Sequence, residues 1–329
     1  MINAFQCALT YLSRSFLMTS CLVVLATPTL AALSDFSERL ERVVEDVGFA
    51  AEDDRLEALM DLIYDYHMVE YPETATWLGY AGQNDRWSDY SRPAITRRKR
   101  DSRIFLSALE DISEASLDRA SQLNFKLLHQ SLSLKVASQA FPDELLPLNQ
   151  MGGVQQNLAQ IVALMPRRTP RDYADITARL ESADKLIEQT IVLLKAGLKQ
   201  GITPPAVTLR EVPKQVANQL FDNPMDSPLL AAYETFPAGM NPVQRDQLTS
   251  RAMAAYRDRI APAYRRLKIF LESDYLPNAV VSIGFSQLPS GRDWYNLRVR
   301  QSTTTDLTVE NIHALGLSEV ARIRAAMQE

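Results

Sequence analysis

An all-α fold, an irregular array of several long amphipathic helices, is what this sequence predicts, and three observations predict it. First, between Thr169 and Gly201 the residues Tyr173, Ile176, Leu180, Ala183, Ile187, Ile191, Leu194 and Leu198 recur at steps of three or four. That period places them on one stripe of a helix, with charged residues on the other faces. Second, both ends of the stretch carry helix punctuation. Thr169 suits the N-cap, Pro170 the first turn and Asp172 the positive end of the dipole. Gly201 accepts a left-handed conformation after the last turn, and Pro204 and Pro205 stop the helix. Third, no stretch sustains the period-two alternation of a strand, and no repeat or low-complexity run appears. A capped amphipathic helix of this length needs other helices to receive its stripe.

At the N-terminus, residues 1–31 read as a secretory signal. Arg14 precedes an apolar run from Phe16 to Ala26, and Thr29-Leu30-Ala31 supplies small residues for cleavage before Ala32. The run is well short of the ~20 residues that cross a bilayer, which favours a signal over an uncleaved anchor. Met18-Thr19-Ser20 is a poor lipidation context for Cys21, and the apolar run continues past it. The expected location is therefore exported, periplasmic or secreted, with no stable membrane insertion once the signal is removed.

Cys7 and Cys21 both fall inside that signal, so the remaining chain holds no disulfide, thiolate metal site or cysteine nucleophile. Lys and Arg number 35 against 40 Asp and Glu, a formal net charge of −5. That balance argues against nucleic acid as a partner, because phosphate binding needs a positive face.

The body then reads as a succession of helices. Ser34 to Glu70 forms one or two, with Leu40, Val43, Val44, Leu56, Leu59, Leu62, Ile63 and Tyr66 as the apolar side. A short helical piece runs from Pro72 to Gly79. Gly82 to Arg92 is loop, with Trp87 and Tyr90 packed on something. Pro93 to Ile112 and Ser116 to Gln139 are two further helices, the second with Leu123, Leu127, Leu128, Leu132 and Val136 inside. Phe141 to Gly153 breaks the pattern, and Val154 to Leu164 is helical again. Thr203 to Phe221 is one helix and Ser227 to Phe236 a short one. Asn241-Pro242 opens a long helix to about Tyr275, with a kink expected at Pro262. Gly284 to Gly291 is loop and Arg292 to Arg300 mixed. Thr308 caps a last helix whose apolar residues are Ile312, Leu315, Leu317, Val320, Ile323 and Met327. It keeps its helical composition to the final residue, with no stop signal.

Few motifs carry chemistry. His67, His129 and His313 are the only histidines. His67 and Glu70 form an HxxE pair at helical spacing, but a catalytic metal site needs three converging protein ligands, and a chance pair on an acidic helix is the better reading. His129 reads as packed near an apolar face. There is no HExxH, GxSxG, phosphate-binding glycine loop or dinucleotide fingerprint. No catalytic residue and no metal ligand is assigned. The basic run from Thr96 to Arg103 reads as a solvated helix face, partly balanced by Asp101 and Glu110.

The polar break from Leu145 to Gly153 is the candidate substrate contact. Gly152 and Gly153 lead into a helix N-terminus, whose free N–H groups and dipole favour an anion. Arg167 and Arg168 follow that helix. With Asn149 and Gln150 they make up the residues expected to hold a substrate carboxylate or peptide main chain. The competing reading is a tight turn whose glycines serve geometry alone.

Five segments, PETATWLGY, LLPLNQMGG, MPRRTPRDYADITARL, GLKQGITPP and TTTDLTVENIHALGLSEVARIRAAM, together resemble the bacterial domain-of-unknown-function family eight-eight-five. They occur in that family's order and span nearly the whole body after the signal. The resemblance implies an exported protein similar to zinc metallopeptidases of the largely helical HExxH type, roughly twice as long as this chain. It also implies that the zinc motif, of the form HExxPGHH, belongs to a C-terminal half beyond the residues present here. No catalytic residue carries over, and zinc is expected only in the full-length form. Two functions follow as expectations. One is the helical N-terminal half of such a protein, its fold incomplete and inactive alone, with the C-terminal half as a partner and a peptide as substrate. The other is a stand-alone periplasmic helical module that binds peptides or proteins.

Overall fold

A computed structural model describes residues 28–328. The signal reading, with Arg14, Cys7, Cys21 and the apolar run, lies almost wholly outside those residues. Its last residues do not: Pro28 to Ala31 open the first helix, α1, Pro28–Val44.

Among the described residues there are helices, turns and no strand, so the structure is all-α. The helix that anchors it is α7, Pro170–Lys199, placed as the stripe predicts. Thr169 accepts the Asp172 N–H while Asp172 accepts the Thr169 N–H at 2.8 Å, a reciprocal capping box. Gly201 has φ +68°, the left-handed position that only glycine takes without strain. Tyr173, Ile176, Leu180, Ala183, Ile187, Ile191 and Leu194 are all buried, and Leu198 is half-buried against the same core.

That stripe lies in one core shared with four other elements. They are α6, Val154–Leu164; α9, Val212–Ala217; a 3-10 segment, Pro228–Glu234; and a rod from Pro242 to Tyr275. The rod runs through Pro262 without a break in helical hydrogen bonding. It continues from α10, Pro242–Ala255, through a π turn, Tyr256–Ile260, into α11, Ala261–Phe270, and a second π turn, Leu271–Tyr275. Pro262 has no N–H to give, and the residue before it, Ala261, reaches back five positions to the Tyr256 carbonyl. The wide turn absorbs the proline ring where an α turn would clash with it. The predicted helix Thr203–Phe221 is instead two short ones, α8, Ala206–Leu209, and α9, because Pro213 starts a new first turn.

A second core belongs to the N-terminal helices α1, α2 (Glu52–Glu70), α4 (Arg92–Glu110) and α5 (Arg119–Ala137), with Leu56, Leu59, Phe105, Leu109, Phe125 and Leu132 inside. The inward face expected for α5 holds only in part: Leu132 is buried and Leu128 and Val136 are half-buried, as read from the sequence. Leu123 and Leu127 are exposed, at 59% and 48%, while Phe125 and Leu132 are buried. Two stripes compete on this helix, and contact with α4 selects the one that carries the larger ring. Between the cores, α3, Pro72–Leu78, and the loop to Ser91 pack onto α7 through Trp87 and Tyr90, as expected. The stretch read as mixed is a helix, α12, Gly291–Thr303. Its Trp294 is 1% exposed and stacks on Phe141 at 5.7 Å. The last helix is α13, Val309–Ala326, capped by Thr308 as predicted. No helix among the described residues is long and apolar enough to cross a membrane.

Candidate functional site

The turn before α6 is built by its own polar groups. The Asn149 side-chain carbonyl accepts the N–H groups of Met151 at 2.7 Å and Gly152 at 3.1 Å, and the Asn149 N–H donates to the Gly152 carbonyl at 2.9 Å. Gly153 has φ +134°, and a Cβ there would lie 2.5 Å from the Leu148 side chain, so the position demands glycine. Gln155, 1% exposed, donates to the Asn149 carbonyl at 2.9 Å. Gln215 on α9 donates to the Gln150 carbonyl at 3.1 Å. The four residues Asn149, Gln150, Gly152 and Gly153 thus share one turn, and most of its polar groups are already engaged.

Arg167 and Arg168 are elsewhere. They follow the C-terminal end of α6, and eleven helical residues separate them from the turn, about 16 Å of helix. The Arg167 guanidinium donates to the Ala163 carbonyl at 3.3 Å, capping the helix it follows. Arg168 lines a cavity of about 450 Å³ with Thr76, Tyr80, Asn84, Asp172 and Asp175. Burial pushes the Asp175 carboxyl above its ordinary range, against the opposing charge of Arg171. The structure therefore gathers four of the six candidate contacts and leaves the two arginines at the opposite end of the helix.

Beside that cavity lies a residue that the stripe argument passed over. Arg179 on α7 is 0% exposed, yet no carboxylate pairs with it. It donates to the carbonyls of Arg86 at 3.0 Å, Gln83 at 2.9 Å and Pro72 at 3.3 Å, and to the Thr76 hydroxyl at 2.8 Å. Its guanidinium lies 4.9 Å from the centre of the Trp87 ring, and Trp87 donates back to the Arg179 carbonyl at 2.7 Å. Burial pulls its pKa down to about 10. One side chain thus ties α3 and the following loop to α7. The available signal was an arginine between Ile176 and Leu180, within a stripe that should be apolar.

The basic run is a solvated face only at Thr96, Arg100 and Arg103. Arg97 and Arg98 both pair with Glu70, at 2.6 and 3.2 Å, Lys99 pairs with Glu144 at 2.8 Å, and Arg100 with Asp101 at 2.9 Å. Arg98 is 7% exposed and also donates to the Asp89 carbonyl at 2.7 Å. Tyr66 donates to Asp101 at 2.8 Å. Arg97, Arg98 and Lys99 are spent on carboxylates brought in from other segments, and Arg100 on its own neighbour Asp101, which leaves them little reach toward an external polyanion.

The HxxE pair is divided by the same network. Glu70 is held by two arginines, while His67 packs its ring on Tyr71, centroids 4.6 Å apart. Burial, reinforced by the nearby Lys135 charge, lowers the His67 pKa to about 4. His129 is not packed inside: its side chain is 42% exposed, it stacks on Phe125, and it approaches Glu110 at 3.4 Å. His313 is exposed on α13. No three His, Cys, Asp or Glu side chains come together in a way that could hold a metal ion among the described residues.

The other unusual surface is α13. None of its residues is buried, and Leu315, Leu317, Val320, Ile323 and Met327 are exposed by 53, 61, 49, 47 and 81%. Ile312 is half-exposed. Among the described residues, none covers this amphipathic stripe.

Comparison with known proteins agrees with this architecture. The profile of a family described as "Bacterial protein of unknown function (DUF885)" matches residues 72–329, leaving α1 and α2 outside the matched range. No curated protein matches the chain. Among solved structures, "the putative lipoprotein from Colwellia psychrerythraea" is similar in fold, with a TM-score of 0.76 at 19% sequence identity. The similarity covers 85% of this chain and 51% of that one, so the chain spans about half the length of its solved neighbour.

Proposed function

The chain belongs to the bacterial family of unknown function whose profile it matches over residues 72–329, and from that membership we propose that it is the helical half of an exported, metallopeptidase-like protein. On this reading it encloses and positions a peptide substrate, and the zinc-bearing chemistry belongs to a C-terminal half. The observation that carries the proposal is the uncovered stripe of α13, beside a body whose other long helices bury theirs. The solved neighbour's extra length is consistent with a second portion of the fold that would receive that stripe. The peptidase character rests on the family resemblance of the five sequence segments, and export rests on the signal-like residues 1–31.

The six candidate contacts enter as two subsites rather than one. The turn at Asn149, Gln150, Gly152 and Gly153 offers main-chain groups at its tip, and the cavity at Arg168 offers a cation beside Asp172 and Asp175. Arg167, engaged with the end of its own helix, serves the second only indirectly.

The alternative is a stand-alone periplasmic module that binds peptides or proteins. What favours it is that both cores close without α13, so the body can fold by itself. The discriminating experiment mixes the purified chain with the C-terminal half of a longer relative, followed by sedimentation and a peptide-cleavage assay with and without chelator. Complex formation with zinc-dependent cleavage that neither half shows alone supports the half-protein reading. Chelator-sensitive cleavage by this chain alone would falsify it, and absence of any complex favours the module.

A further inference from the structure

The cavity lined by Arg168 holds unused donors and unused acceptors together. Arg168, exposed between α6 and α7, gives its main-chain N–H to Asp172 at 2.8 Å, while its guanidinium makes no hydrogen bond or ion pair among the described residues. Asn84, on the loop after α3, accepts the Thr76 hydroxyl proton at 2.7 Å through its side-chain oxygen, which leaves the amide NH2 without an acceptor. That orientation is set from beneath. Buried Arg179 donates to the Thr76 oxygen at 2.8 Å, and the closer acceptor for the hydroxyl proton is Asn84, at 2.7 Å against 3.0 Å for the Pro72 carbonyl. Arg179 has no carboxylate partner, so its charge adds to that of Arg168 at this end of the cavity.

The acceptors come from the first two turns of α7. Asp172 uses Oδ2 for the main-chain N–H groups of Arg168 and Thr169, and Asp175 uses Oδ1 for Arg171 at 2.8 Å. The second oxygen of each is unclaimed among the described residues. Three residues apart on one helix, the two carboxylates are neighbours on its surface. Burial raises the Asp175 carboxyl even with Arg171 beside it, so its charge is short of partners. Ala81, Leu164 and Pro166 supply an apolar wall, with Leu164 exposed. The volume, about 450 Å³, falls within the range of small-molecule sites.

We propose that this cavity binds a small zwitterion with an apolar side chain, the chemistry shared by a free amino acid and a free dipeptide. Its carboxylate goes to Arg168 and Asn84, its ammonium to the free oxygens of Asp172 and Asp175, and its side chain to Leu164. The charge of the lining selects this class. An anion alone would meet two carboxylates, and a cation alone would meet a guanidinium above a second, buried one. Only a ligand with both charges leaves neither set unpaired on desolvation. The inference deepens the second subsite proposed above and rests on it, but not on the role given to α13 or on a zinc-bearing half. Complex formation with that half without zwitterion binding here would overturn this inference and leave that reading standing.

The test is calorimetric titration of the full chain with leucine and with alanyl-leucine, each also in N-acetylated and C-amidated forms. One of the two free compounds should bind saturably, and the tighter one identifies the length that the cavity accepts. Either cap should weaken binding about tenfold or more, the worth of a hydrogen bond to a charged group. The variants should give a crossed pattern. Arg168→Gln should remove the preference for free carboxylate over amide and keep the preference for free amine over acetyl. Asp175→Asn should do the reverse. A general loss of structure cannot produce that crossing, and circular dichroism and melting confirm that each variant folds. Asp172 is left unchanged because it caps α7. Three results overturn the proposal: no saturable binding of either free compound, equal binding of the doubly capped forms, or both preferences retained in both variants.

Discussion

Two helices of this molecule obey the same sequence rule and end in opposite surroundings. In α7 the apolar stripe is buried from Tyr173 to Leu194, and in α13 the stripe from Leu315 to Met327 faces solvent. Both have side-chain N-caps, Thr169 and Thr308, and both alternate apolar and charged faces with the helical period. Periodicity therefore fixes a helix and the direction of its apolar face, but not whether anything lies against that face. Burial is a property of the neighbour. For α7 the neighbours are α6, the segment Pro228–Glu234 and the rod from Pro242 to Tyr275; for α13 the described residues supply none that buries it.

The comparison can be broken by mutation, and the largest difference is expected in the two stripes. Leu180→Ala or Ile187→Ala should cost about 2–5 kcal/mol, the range for truncating a well-packed aliphatic side chain. Leu315→Ala or Ile323→Ala should stay within about 0.5 kcal/mol in the isolated chain, as surface changes do. Urea titrations of the four variants measure it. Equal losses at both stripes would mean that α13 is packed in solution after all.

Acid should sharpen the contrast between core and surface next. His67 titrates at about 4 in the folded protein, against an ordinary 6.5, chiefly because it is buried. The unfolded chain therefore takes up a proton near pH 6.5 that the folded chain refuses until about pH 4. Its contribution is present above pH 6.5, falls as the pH drops, and is fully lost below about pH 4. The shift corresponds to a few kcal/mol, about 2–3 after allowance for partial solvent contact. Stability measured from pH 7 to pH 4 should fall less steeply in His67→Asn than in the parent.

How far these features were legible in the sequence depends on how local their causes are. The capping box at Thr169 and Asp172, the left-handed Gly201 and the inward stripe of α7 arise within one or two helical turns, and all were readable. The inward face of α5 was readable only in part: Leu128, Leu132 and Val136 turn inward as expected, and Leu123 and Leu127 do not. Leu123, Leu127 and Leu134 make one stripe and Phe125, Leu128 and Leu132 another, and the choice belongs to α4, a separate helix. The basic run failed for the same reason. Glu70 and Glu144, which take up Arg97, Arg98 and Lys99, lie 27 to 45 residues away in the chain.

The candidate site divides along the same line. The turn at Asn149 to Gly153 was legible as a turn because its hydrogen bonds are local. Its separation from Arg167 and Arg168 was also implicit, since a helix of that length holds its ends apart. Arg179 hid in plain view: an arginine within an apolar stripe signals a buried acceptor set, but the carbonyls of Pro72, Gln83 and Arg86 have no sequence signature.

A smaller effect follows from the order in which α13 and the body hold together. Lys185→Ala on the outer face of α7 should shift stability by no more than about 0.5 kcal/mol. Removing residues 305–329 altogether should do little more, because no residue of α13 is buried and both cores close before Thr303. The melting transition of the shortened chain should match the parent's, while hydrophobic-dye binding and self-association fall with the loss of the exposed stripe.

Hydrogen exchange gives the same comparison without mutation. An 18-residue helix with no packed face is marginal in water, since nucleation is costly and little tertiary contact offsets it. Amides of α13 should therefore exchange through local fraying, whereas those in the middle of α7 should open only with the whole body. The difference in protection should approach the global stability of the protein. A partner that covers Leu315, Val320 and Ile323 should slow exchange along α13 and leave α7 as it was. Protection of α13 equal to that of α7 in the chain alone, at a concentration where it is monomeric, would show that the stripe has found a receiving surface within the molecule, and the half-protein reading would lose its main support.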